Sequence, residues 1–135
     1  MNRYFTEVID AHIAIANWLG KGIGEQQALL ARFQEGFSMI ALNGSTLGLT
    51  ELSAFFNAHR AAKPGLEIVI EEMRLIAEWP TGAVVNYREK QTLPGQQATL
   101  RYSTAVFIQT AAGPGWRHLH ETAIEPGLKK AAGQE

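Results

Sequence analysis

The sequence predicts an α+β domain in which three N-terminal helices cover a strongly curved, cone-shaped and mostly antiparallel sheet. Two observations carry that expectation. Before Leu66 the apolar residues recur at helical spacings in three separate stretches, and after it they recur with period two in strands joined by tight-turn signals. Helices gathered on one side of an antiparallel sheet make an α+β layer pair, and a sheet that twists can curl beneath its helices and leave a hollow.

The first helix is expected over residues 3–19, where Phe5, Val8, His12, Ile15 and Leu19 form one stripe with Ile9 and Ala16 beside it. Gly20, Gly22 and Gly24 then break it. A second, shorter helix is expected from about Glu25 to Arg32, with Ala28, Leu29 and Phe33 as its apolar face. Phe37 to Leu42 reads as a short strand ending at an Asn43-Gly44 turn. The third helix starts at Thr50, taken as its N-cap, buries Leu52, Phe55, Phe56 and His59, and ends at Lys63-Pro64-Gly65. Long strands follow over 66–78, 83–92, 98–109 and 116–124. Glu71-Glu72 interrupts the first of them and marks a β-bulge, and Leu93-Pro94-Gly95 reads as a type II turn. These elements place the domain at residues 1–125, with 126–135 as a frayed tail.

A net charge of -1 with no block of like charge gives no electrostatic footprint for nucleic acid or a membrane surface. It leaves open a small anion held by one or two arginines. With no cysteine in the chain, disulfides, thiolate metal sites and cysteine nucleophiles are excluded. The first helix carries Glu7, Asp10 and His12 within its apolar run, which does not fit a signal peptide, and no stretch is long and apolar enough to span a bilayer. The expected location is the cytoplasm.

Candidate chemistry centres on the last strand. Regular alternation puts Trp116, His118, His120, Thr122 and Ile124 on one face, and Arg117, Leu119 and Glu121 on the other. The first set is assigned to the hollow because the second carries two charges. If Thr92 pairs with Gln97 across the Pro94-Gly95 turn, Tyr87 lies opposite Tyr102, which turns Leu100, Tyr102, Thr104, Val106 and Ile108 towards the helices, together with Ala83, Val85, Tyr87 and Glu89. A one-residue slip reverses this arrangement and makes Arg101 a candidate anion anchor. The expected ligand-binding residues are therefore Tyr87, Tyr102, Thr104, His118 and Trp116. His120 and His12 are the candidate general bases, since imidazole titrates near neutral pH. Each histidine has a plainer reading as a hydrogen-bonded core or interface residue, and the hollow has one as a filled core. His118 and His120 alone do not complete a zinc site, which needs a third protein ligand, so no metal and no cofactor are expected.

The element order, and the closing Trp116-Arg117-x-x-His120-x-Thr122 that follows Val106-Phe107 and a glycine turn, resemble the nuclear transport factor 2-like (cystatin-like) cone fold and its SnoaL-like, polyketide-cyclase-like members. The resemblance spans roughly residues 3–125 and implies a homodimer with one deep pocket per subunit. The family includes isomerases, dehydratases, cyclases and non-catalytic modules. Asp10, the only aspartate, lies on the first helix, whereas isomerase-type members carry their catalytic acids on sheet strands. The resulting expectation is a pocket for a small apolar or carbonyl-bearing ligand. It would serve either proton transfer, with Tyr87 or Tyr102 stabilising an oxyanion, or non-catalytic dimerisation or ligand sensing.

Overall fold

The computed structural model describes residues 1–125; the expected frayed tail, 126–135, lies outside the described residues. The chain runs α1 (Arg3–Lys21), α2 (Gln26–Leu30), β1 (Phe33–Ile40), β2 (Thr46–Gly48), α3 (Leu49–Ala58), β3 (Glu67–Trp79), β4 (Gly82–Thr92), β5 (Thr99–Thr110) and β6 (Gly113–Ile124). The six strands form one open sheet in the order β2-β1-β6-β5-β4-β3. Every neighbouring pair is antiparallel except β1 with β6.

Helix α1 starts where the Asn2 side chain accepts hydrogen bonds from the amides of Tyr4 and Phe5. It ends at Gly22, whose φ of 66° is the left-handed conformation of a helix C-cap. Its stripe is wider than the sequence suggested, because Tyr4, Ala11 and Trp18 are buried along with Val8, His12 and Leu19. Trp18 ties α1 to α3, its indole N–H donating to the Phe56 carbonyl at 2.8 Å.

Thr50 is not the N-cap of α3. The helix begins two residues earlier, with Gly48 as N-cap, and Thr50 sits in the first turn. Glu51 fixes this start by accepting the Gly48 amide at 2.7 Å. Strand β1 begins at Phe33, before the expected Phe37, and the Asn43-Gly44 turn leads into the short β2, which the sequence reading missed. The Pro94-Gly95 turn has the expected form, with Gln96 N–H donating to Leu93 O at 3.1 Å and Gly95 at φ 74°. Glu72 adopts φ 52° where the β3–β4 register shifts between Glu71 and Arg74, the site of the expected bulge.

Two registers differ from expectation, and between them they decide what faces the helices. Tyr87 pairs with Ser103, not Tyr102, so the β4–β5 hairpin is one residue out of the expected phase. On β6 the pairing moves from Phe107↔Trp116 to Val106↔His118, which leaves Arg117 as an extra residue in a bulge. The bulge flips the alternation, so Trp116 shares the helix-facing side with Leu119 and Glu121, while His118 and His120 turn away from it.

The core is graded along the sheet. At one end Ala83, Val85, Ala105, Phe107 and Trp116 form one buried cluster with Tyr4, Val8 and Ala11 of α1. The small Ala83 and Ala105 leave room for the large Phe107 and Trp116, whose rings meet at 4.6 Å. The Trp116 indole donates to Glu7 at 2.9 Å, and Glu7 also accepts two hydrogen bonds from Arg32. At the other end the same face carries Glu89, Gln91, Arg101 and Glu121, and here the helices stand off the sheet.

Candidate functional site

The stand-off encloses a hollow of about 590 Å³, within the range of small-molecule sites. Its walls are mostly apolar, from Ile15 and Leu19 of α1, Leu52, Phe55 and Phe56 of α3, and Phe33, Met39 and Leu119 of the sheet. The polar groups are His12, Lys63, Glu89, Gln91, Arg101 and Glu121, with Asn43 and Ser45 contributed by the β1–β2 turn.

At its floor lies a buried pair. His12 Nε2 is 3.2 Å from Glu89 Oε1, and both side chains are almost fully enclosed. His12 Nδ1 lies 2.7 Å from the Val8 carbonyl, which can only accept, so Nδ1 carries a proton. The other Glu89 oxygen accepts from Gln91 at 2.6 Å. Burial alone pushes His12 down and Glu89 up, but the hydrogen bond and charge they share reverse both. His12 is raised above its ordinary 6.5 and Glu89 lowered below its ordinary 4.5. Both shifts favour the imidazolium–carboxylate form of the pair.

Arg101 sits directly across from Glu89 on the neighbouring strand and donates to Glu121 Oε2 at 3.3 Å. Burial raises the Glu121 carboxyl from its ordinary value; Arg101 opposes that shift and the charge of Glu89 adds to it. Among the described residues neither Glu121 Oε1 nor the Nε of Arg101 has a hydrogen-bond partner in the protein.

Of the residues singled out from sequence, His12 lines the hollow. Tyr87 faces the helices but lies beneath the hollow, its ring edge-on to His12 at 5.4 Å and its hydroxyl fully enclosed. Trp116 is also beneath it, 1% exposed in the core. Tyr102, Thr104, His118 and His120 occupy the opposite sheet face, since the two register differences reverse their strands; His118 there meets the Ser38 hydroxyl at 2.8 Å. His12 and His120 therefore do not converge.

No protein-family model matches the sequence, and no curated protein matches it. Among solved structures, an NTF2-like protein of unknown function from Pseudomonas aeruginosa is 36% identical, with a TM-score of 0.87 over 92% of this chain and 100% of its own. The chain belongs to the NTF2-like family. More distant structures share the fold. The CaMKII hub homology domain of Chlamydomonas reinhardtii matches at TM-score 0.72 and 15% identity, over 91% of this chain and 97% of its own. A candidate ketosteroid isomerase from Shewanella frigidimarina matches at 0.70 and 17%, over 90% and 95%.

In this NTF2-like chain Arg101 enters the hollow through the one-residue register slip that makes it a candidate anion anchor, whereas Glu121, which regular alternation turns outward, and Gln91 and Lys63, to which the sequence gives no site role, are residues that sequence reasoning misses. The sequence places Glu89 on the correct face without giving it a role. One signal was available: Trp116 and Leu119 are both large and apolar but three apart, and a strand buries both on one face only if a bulge intervenes. Among the described residues no three His, Asp or Glu side chains gather as a metal site would need, and no helix is long and apolar enough to cross a membrane.

Proposed function

We propose that this NTF2-like chain binds a small, apolar, carbonyl-bearing molecule in the hollow and moves a proton on it without a cofactor. The observation that carries this reading is a titratable carboxyl, Glu121, with one oxygen unengaged and its proton affinity raised, set beside a guanidinium in a mostly apolar cavity. A carboxyl shifted towards working pH is a better proton acceptor and donor than an ordinary one. Glu121 Oε1 takes the proton from the carbon next to the carbonyl. The C–H electrons move into the carbon skeleton, and the charge gathers on the carbonyl oxygen, where the Arg101 guanidinium donates to it. Where a C=C adjoins that carbon, the anion is a dienolate, and return of the proton to its far carbon completes an isomerisation by shifting the double bond. Both ring nitrogens of His12 are engaged, so in this reading His12 acts by holding Glu89 ionised beside Arg101 and Glu121, not by touching the ligand.

The test is solvent deuterium exchange at the α-carbon of a bound carbonyl compound, followed by NMR. Exchange that is present in the native chain and lost in Glu121→Gln, with binding retained, supports the reading. A compound that binds but does not exchange in the native chain ends it.

The second reading is a non-catalytic dimerisation or ligand-sensing module. It is favoured by the likeness to a hub homology domain and by the outer sheet face, where Tyr102, Val106 and His118 are only half-exposed. Either reading works as a cytoplasmic homodimer joined through that face, and sedimentation of Val106→Glu tests the contact.

A further inference from the structure

The charges lining the hollow do not cancel. His12 is matched by Glu89 and Arg101 by Glu121, each within hydrogen-bonding or ion-pair distance. Lys63 has no carboxylate partner among the described residues, although it lines the same cavity and is half-buried there. It does not hang from a loose loop. Its amide donates to the Leu19 carbonyl at 2.9 Å and its carbonyl accepts from Leu66 at 3.1 Å, pinning it between α1 and β3. The remaining polar groups of the lining outside the paired charges, Asn43, Ser45 and Gln91, are neutral. Apart from them the surface is hydrocarbon and aromatic ring, from Ile15, Leu19, Leu52, Phe55 and Phe56.

A cavity with apolar walls, an internally neutralised floor and one unmatched ammonium is complementary to a molecule with the same layout in reverse. We infer that the ligand of this hollow is an anionic amphipath, an apolar body bearing one carboxylate that Lys63 holds. This rests on the reading of the hollow as a ligand site and narrows the class of ligand it takes. An ammonium beside an apolar cavity keeps more of its attraction for an anion than one in open solvent, because less water screens it. An alkylammonium head would place like charges together, and an uncharged head would leave Lys63 without a partner.

The inference is tested by calorimetric titration of the full chain with decanoate, decanol and decylamine, which share one hydrocarbon body and differ in the head. Decanoate is expected to bind about tenfold more tightly than decanol, as a hydrogen bond to a charged group allows, and decylamine more weakly than either. Lys63→Gln should bring decanoate down to the level of decanol and leave decanol unchanged. The unchanged decanol also shows that the variant is folded with its hollow intact. Decanol binding as tightly as decanoate, or decanoate indifferent to Lys63→Gln, overturns the carboxylate preference while leaving the ligand site standing. Failure of all three probes to bind overturns both.

Discussion

His12 on α1 and Glu89 on β4 meet at 3.2 Å beneath the hollow, and this contact is the ionic tie between the long helix and the sheet. Removing one partner strands the other's charge in a nearly enclosed site, which costs about 3–5 kcal/mol, whereas replacing both with apolar groups is often neutral. His12→Leu and Glu89→Leu should therefore each destabilise the fold strongly, and the double variant by less than either alone. Urea denaturation of the four proteins in the cycle measures the coupling, and additive losses would show that the two side chains do not act as a pair.

The same contact sets a pH optimum for stability. The folded value of His12 is raised, so its contribution is complete below 6.5 and is lost as pH rises through that raised value. The folded value of Glu89 is lowered, so its contribution is complete above 4.5 and is lost as pH falls through the depressed value. Glu121, facing Arg101, Glu89 and His12, is raised, so its contribution is complete below 4.5 and is lost as pH rises through its raised value, which tilts the window set by the pair towards its acidic end. The urea midpoint should peak between 4.5 and the raised His12 value and decline on both sides. In the His12→Leu/Glu89→Leu variant the arms due to this pair should flatten, and an unchanged profile would assign the pH dependence elsewhere.

The order and type of the elements were legible in the sequence because each rests on local chemistry. Gly22 stops α1, Pro94-Gly95 builds its turn, and Glu72 marks its bulge. The strand faces were less legible, because a face depends on counting residues across two registers. One uncounted residue, Arg117, and a hairpin one residue out of phase moved Tyr102, Thr104, His118 and His120 to the far side of the sheet. Charge misled in the same direction. Glu121 falls outward in the sequence because its face also carries Arg117, as charged strand residues usually do, and Arg101 because of the hairpin register, but a sheet that lines a cavity turns some of its charges in.

The bulge makes a direct prediction about which side chains hold the fold. Trp116, 1% exposed against Phe107 and Phe33, should cost about 3–5 kcal/mol on truncation to alanine. His120, exposed on the outer face, should cost within about 0.5 kcal/mol. Thermal denaturation of Trp116→Ala and His120→Ala separates the two, and comparable losses would contradict the register described.

Two glycines should resist substitution for different reasons, and the difference can be measured. Gly95 has open space where a Cβ would stand, but its φ of 74° is left-handed, so Gly95→Ala pays only the conformational cost, about 1–2 kcal/mol. Gly82 has no such conformation. A Cβ there would run into the Phe107 carbonyl and come within 2.8 Å of the Trp79 ring. The Phe107 backbone cannot retreat, because β5 is paired on both sides, with Gly82 itself aligned to Ile108 and Phe107 to Trp116. Gly82→Ala must therefore push apart the end of the sheet over which Tyr4 and Val8 pack, at about 1–3 kcal/mol for overpacking. Gly95→Asn, which tolerates the left-handed region, should recover part of the Gly95→Ala loss. Gly82→Asn, larger than alanine, should be worse than Gly82→Ala, and denaturation midpoints for the four variants that failed to show this opposite ordering would rule out the steric account of Gly82.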